Sequence, residues 1–171
     1  PDPEGRTHRQ RVRWWAALGM LRALASSPAA AAQTFLKRAA TAESGDTAEA
    51  DRIGRASVLD ESDDGTLETF DIAPGAESGE FAADAGTEQR RLRDFAKQAD
   101  RLCGDLDAKL QQGIKEIAAL VRDGLRPIVF CRFIETAAYL AEHLRSSGKL
   151  PKGTEVAAVT GLLSPEEREA R

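Results

Sequence analysis

The sequence predicts an α/β chain, mostly helical: a helical hairpin, a disordered acidic linker, and a long helix leading into a truncated parallel strand–helix–strand unit. Three observations predict it. Apolar residues recur at spacings of three and four through residues 14–36 and again through 92–121. Near residue 127 that rhythm gives way to short continuous apolar runs, the pattern of strands buried on both faces. Charge, finally, divides the 171 residues into three parts. Residues 1–40 carry 7 basic and 2 acidic side chains, a net of +5. Residues 41–88 carry 14 acidic side chains against Arg52 and Arg55, a net of −12, and residues 89–171 carry 15 basic and 12 acidic, a net of +3.

Several classes are excluded by the same inventory. No apolar run approaches the roughly 18 residues that a membrane span needs. The opening Pro1-Asp2-Pro3-Glu4 has neither an initiator Met nor a signal-type apolar stretch, and suggests a piece of a longer protein. Two cysteines, Cys103 and Cys131, make no disulfide framework and no metal-ligand spacing, so a reducing, cytoplasmic setting is the default expectation.

In the first part, Trp14, Leu18, Leu21 and Ala25 lie on one helical face. Ser26-Ser27-Pro28 stops that helix and starts a second, with Ser27 at the N-cap, Pro28 at N1, and Phe35 and Leu36 as apolar anchors. The acidic part has only Ile53, Val58, Leu59, Leu67, Phe70, Ile72 and Phe81 as large apolar residues. Burying so few cannot repay the entropy of ordering that much backbone, so disorder is expected there.

The third part holds most of the folding information. Leu92, Phe95, Ala99, Leu102, Leu106, Leu110, Ile114, Ile117 and Val121 form one stripe, which predicts a long helix over 88–123 with weak points at Gly104 and Gly113 and a stop at Gly124. Pro127 to Cys131 reads as a buried strand. Ala137, Leu140, Ala141 and Leu144 mark a helix, and Glu155 to Thr160 a second strand. Connections of this length make a right-handed parallel βαβ unit. Ser164-Pro165-Glu166-Glu167 has the form of a capping box and opens a last helix.

Isolated chemical motifs are weak. A Cys131 thiolate at a strand end could act as a nucleophile, but a cysteine phosphatase needs an Arg six positions on, where Ala137 stands. Asp60-Glu61-Ser62-Asp63 imitates a Mg²⁺-binding helicase box, yet it follows only two apolar residues and no phosphate loop of the G-x-x-x-x-G-K-[ST] form exists. His8 and His143 have no partner at ligand spacing, and the Trp14-Trp15 pair reads as a core anchor.

The ordered set is more specific. Asp107-x-Lys109-Leu110, Arg126-Pro-Ile-Val-Phe-Cys-Arg-Phe133, Glu135-Thr-Ala-x-Tyr-Leu-Ala-Glu-x-Leu144 and Val159-Thr-Gly-Leu-Leu-Ser-Pro-Glu-Glu-Arg-Glu169 together resemble the start of the second RecA-like lobe of superfamily 2 helicases. The bacterial Swi/Snf-type DNA translocases are the most similar branch. The resemblance makes Ile128 to Phe133 the motif IV strand and puts Thr160-Gly161 in place of a more usual His-Gly. Arg168 matches the Arg of a Gln-x-x-Arg motif whose Gln position holds Pro165. It implies nucleic-acid contacts from Arg132, Phe133, Thr160, Gly161 and Arg168, made to the backbone of double-stranded DNA. It also implies an N-terminal RecA-like lobe as partner, and ATP with Mg²⁺ bound by the parent protein. Residues 1–40 are similar to the helical region between the two lobes. No residue set for catalysis or cofactor binding lies in this stretch, so it is expected to be inactive alone.

A reading of another class is a non-enzymatic adaptor, with the 92–121 stripe as a coiled coil and the acidic linker recruiting basic partners. It leaves the βαβ pattern unexplained. Both readings make the acidic part the weakest point of the chain. Limited proteolysis should cut first within residues 41–88 and leave 92–160 intact; slow cleavage in the acidic part would show that it is docked.

Overall fold

The computed structural model describes residues 17–41 and 85–171. Trp14, Trp15, Asp60 to Asp63 and the acidic run over 42–84 lie outside the described residues.

Helix α1, over residues 17–26, turns into α2 (Pro28–Thr41) through the single residue Ser27. Two bonds explain so tight a corner. The Ser27 N–H donates to Ala23 O at 3.2 Å, closing the ladder of α1, while Ser27 Oγ accepts the Ala30 N–H at 3.1 Å and caps α2. Pro28 follows at N1, where its missing N–H costs nothing. The expected cap and corner are therefore present, while Leu21 and Leu36, expected among the apolar anchors, are exposed. The small-residue face of α2 (Ala31, Ala32, Phe35, Ala39) packs on Leu92, Ala96 and Ala99 of α3 (Ala85–Arg101), with Met20 of α1 alongside. This first core is closed at its edge by the tilted Phe35–Phe95 pair, ring centroids 5.7 Å apart.

The single long helix expected over 88–123 is two helices. α3 begins three residues earlier, at Ala85, and ends at Arg101; α4 runs Ala108–Arg122. Between them Gly104 takes φ +76° and opens a 3₁₀ turn over Gly104–Leu106. Asp107 restarts the helix by accepting the Leu110 N–H on Oδ1 at 3.0 Å. The break leaves Leu102 and Leu106 exposed, at 53% and 71%, although they continue the apolar stripe. Periodicity predicted their burial; the N-cap at Asp107 prevailed. Gly113, the other suspected weak point, sits inside an unbroken α4.

α4 buries Leu110, Ile114 and Ala118 toward α5 (Ile134–Ser146), which contributes Tyr139 and Leu144 to a second core. Gly124 ends α4 as predicted: it takes φ +82°, and the Leu125 N–H reaches back to Leu120 O at 3.0 Å.

The strands are the main correction. No strand ladder forms among the described residues, so a paired βαβ unit is not present there. Of the two segments expected to be buried strands, 127–131 exposes Ile128, Val129 and Phe130 in succession, and only 155–160 keeps the period of a strand in its burial. Thr154, Val156, Ala158 and Thr160 are half-buried, whereas Glu155, Ala157 and Val159 are exposed. Ile128 and Phe130 point outward at 81% and 92% exposure, and Cys131 is half-buried. A cavity of about 720 Å³ lies between the segments, lined by Val129 and Cys131 from one, Val156 and Ala158 from the other, and Val121 and Leu140 from the helices. Arg145 at the end of α5 donates from Nε and Nη2 to Val156 O at 3.0 and 2.8 Å, which occupies a carbonyl that a ladder would use. Helix α6 (Pro165–Ala170) closes the chain behind the predicted capping box.

The two helical glycines give opposite expectations. At Gly104 an added Cβ would meet only His143 Cε1, at 3.7 Å, so the cost of Gly104→Ala is conformational, about 1–2 kcal/mol. At Gly113 nothing lies within 4 Å, and Gly113→Ala should stabilise by about 0.5–1 kcal/mol. Urea unfolding of both variants checks the pair of signs.

Candidate nucleic-acid interface

Arg132 and Phe133 form the bend between the first extended segment and α5. Phe133 is the N-cap; its carbonyl accepts the Ala137 N–H at 3.1 Å, but its side chain offers no acceptor to the first-turn N–H groups. Thr160 ends the second extended segment in a turn, with the Leu163 N–H on Thr160 O at 3.2 Å and Gly161 exposed within it. Arg168 lies on α6, exposed, its N–H bonded to Ser164 O at 2.9 Å. The fold thus sets Arg132-Phe133 and Thr160-Gly161 just past the ends of two segments that share one cavity, and carries Arg168 a turn beyond.

The two helix starts differ electrostatically. At α6 the capping box is complete: Ser164 Oγ accepts the Glu167 N–H at 3.2 Å, and Glu167 Oε2 accepts the Ser164 N–H at 2.9 Å. Its own carboxylate therefore already occupies the positive end of this helix. At α5 the first-turn carboxylate, Glu135, is held by Lys37 of α2 with Nζ 2.8 Å from Oε1.

Other residues of the expected motifs prove to be structural. Asp107 is buried, and its Oδ2 accepts the Tyr139 hydroxyl proton at 3.2 Å; the Tyr139 oxygen in turn accepts the Gly104 N–H at 2.8 Å. Gln111 Nε2 donates to Gly104 O at 3.2 Å, and the His143 ring stands edge-on to Tyr139 with centroids 4.6 Å apart. Lys109 Nζ donates to the last carbonyls of the first helix, Ala25 O at 2.8 Å and Ser26 O at 3.1 Å. Thr136 Oγ1 lies 2.8 Å from Ser26 Oγ and 2.7 Å from Ser27 Oγ. Sequence reading passed over Gln111, and saw Thr136 and Tyr139 only as motif members, with no partner named for either. Asp107 and Lys109 were visible as motif members, though not in these roles.

Neither cysteine is poised for attack. Burial pushes the Cys131 thiol above its ordinary value, with Lys109 only partly offsetting, and burial also raises Cys103, helped by Asp100. Among the described residues no three His, Cys, Asp or Glu side chains converge. Among them, too, no helix is long and apolar enough to cross a membrane. No protein-family model, curated protein or solved structure matches the chain.

The Tyr139 knot has a pH signature. Burial, opposed by the Gly104 N–H and reinforced by Asp107, raises the Tyr139 hydroxyl from 10.0 to about 12. The unfolded chain releases this proton near pH 10, the folded chain only near 12, so stability present below pH 10 is lost progressively between those values. Denaturation from pH 9 to 12 should show Tyr139→Phe less stable at pH 9 by about 1–3 kcal/mol, through the stranded Asp107 and Gly104, with a shallower decline above pH 10. Parallel profiles would remove Tyr139 as the cause.

Proposed function

We propose that this chain is part of an ATP-driven nucleic-acid helicase or translocase of superfamily 2, similar to the bacterial Swi/Snf-type enzymes. In this reading it supplies the inter-lobe helices and the opening of the C-terminal RecA-like lobe. One observation carries the reading: the segments on either side of α5 line a cavity between them, and the second alternates half-buried and exposed side chains as a strand does. Arg132-Phe133 and Thr160-Gly161 follow the carboxyl ends of those segments, the side on which open α/β sheets bind ligands. The partner is double-stranded DNA held by its phosphates, since backbone turns, a helix start and arginines suit phosphate oxygens and imply no base edge. ATP and Mg²⁺ belong to the parent protein and its N-terminal lobe.

The coiled-coil alternative is weakened by where the apolar stripe goes. α3 spends it on α2, and α4 spends it on α5, within one chain.

In the parent protein, Arg168→Ala should weaken binding about equally for duplexes of different sequence and reduce the salt slope of log K by roughly 1; Arg132→Ala should do the same. Gly161→Val should weaken binding by blocking close approach of a phosphate to the turn. Fluorescence anisotropy on two unrelated duplexes across a salt series measures all three. Unchanged affinity and slope in both arginine variants would make them solvated surface residues.

A further inference from the structure

The chain has two small cores, and the place where they meet is largely polar. The first core belongs to α1, α2 and α3; the second belongs to α4 and α5, with Ala29 at the start of α2 touching it. Among the described residues the backbone crosses from one unit to the other once, at 102–107, where Gly104 holds φ +76°. Opposite that crossing the units are joined without covalent linkage. The α1–α2 corner presents Ser26 and Ser27 to Thr136, 2.8 and 2.7 Å away, in the first turn of α5. Lys109 of α4 reaches across to Ala25 O and Ser26 O, and Lys37 of α2 to Glu135, beside Thr136.

We infer that this is a hinge with a clasp: the turn at Gly104 is the hinge, and Ser26, Ser27, Lys37 and Lys109 against Glu135 and Thr136 are the clasp. Its output is the orientation of the first turn of α5. Thr136 stands three residues after Phe133 and four after Arg132, so it acts as a positioning residue for the bend that carries them. The physical case rests on the kind of contact. Hydroxyl pairs are directional, with one favoured geometry, yet opening them into water exchanges one hydrogen bond for another. An apolar seam of the same size would lose burial on opening and gain no replacement. Large movements in proteins are absorbed by a few residues at element ends, and Gly104 and Ser27 occupy such places. The claim that the clasp governs a nucleic-acid contact rests on the function proposed above; the clasp itself rests only on the geometry.

Hydrogen exchange by mass spectrometry on the 171-residue chain tests it, with Thr136→Val, Thr136→Ser and Lys109→Met. Thr136→Val should speed exchange of the amides at 137–140, the first hydrogen-bonded ones of α5, about tenfold while the cores of α2 and α4 keep their protection. Thr136→Ser should restore the wild-type rate, because it keeps the hydroxyl. Lys109→Met should loosen 137–140 in the same localised way, from the other side of the clasp. Unchanged rates at 137–140 in both Thr136→Val and Lys109→Met would overturn the clasp. So would loosening spread evenly over both cores, or failure of Thr136→Ser to rescue. A duplex-binding arm separates the two proposals. If Thr136→Val accelerates exchange but wild-type protein extended to its full length binds no duplex, the clasp stands and the helicase reading falls.

Discussion

A buried carboxylate must be partnered, and in this chain that requirement falls on Asp107. It is 8% exposed, and its two oxygens are divided between two jobs: Oδ1 caps α4 through Leu110, and Oδ2 takes the Tyr139 hydroxyl. Tyr139 then has its oxygen left for the Gly104 N–H, a donor turned inward by the +76° φ of that residue. Three elements are thereby fixed by one side chain: where α3 stops, where α4 starts and how α5 lies against both. Removing the carboxylate would leave the Tyr139 hydroxyl and the Leu110 amide without their common partner, which is costlier than losing either bond alone.

From that constraint follows the division into two cores. Had the apolar stripe run on unbroken, Leu102 and Leu106 would have carried a single seam from Leu92 to Val121. Instead the seam is cut, and each half finds its own partner: α2 for the first, α5 for the second. The first core is built largely from alanine, with Ala31 and Ala39 almost fully covered, whereas the second holds Leu110, Ile114, Tyr139 and Leu144. Small side chains bury little area apiece, so the first half contributes little burial alone and its polar contacts to the second matter more. This is why hydroxyls and lysines at the α1–α2 corner carry weight that a larger core would make negligible.

What was legible in the sequence was local. Ser27 with Pro28, Ser164 with Glu167, and Gly124 each announce a helix end through chemistry completed within six residues, and each is found where expected. The break at 102–107 was half legible: Gly104 marked a weak point, but Leu102, Leu106 and Leu110 keep the helical period straight through it, and an N-cap such as Asp107 inside a periodic run is outvoted by its neighbours. The strands were half legible. Continuous apolar runs predicted strands buried on both faces, and only the alternating burial of 154–160 is found; pairing depends on what lies alongside, and here Arg145 and a cavity lie alongside. Of the candidate site, the turn and helix-start positions of Arg132, Phe133, Thr160, Gly161 and Arg168 could be read. The Ser26–Ser27–Thr136 contact could not, since it joins residues about 110 apart.

The two halves of the proposed interface are not equivalent, and the reason is who satisfies each helix start. At α6 the free N–H end is answered from within: Ser164 and Glu167 exchange bonds, and Glu166 and Glu169 add further negative charge beside Arg168. A phosphate arriving there meets a site whose dipole is already spent, and Arg168 must attract it largely alone. At α5 the N-cap is Phe133, whose side chain accepts no hydrogen bond, and the one carboxylate of the first turn is drawn to Lys37. Arg132 thus stands next to the start of a 13-residue helix whose N-cap side chain accepts nothing, with an aromatic ring at the same bend. Anion affinity should concentrate at Arg132 and Phe133, which is the turn that the Ser26–Ser27–Thr136 clasp holds in place.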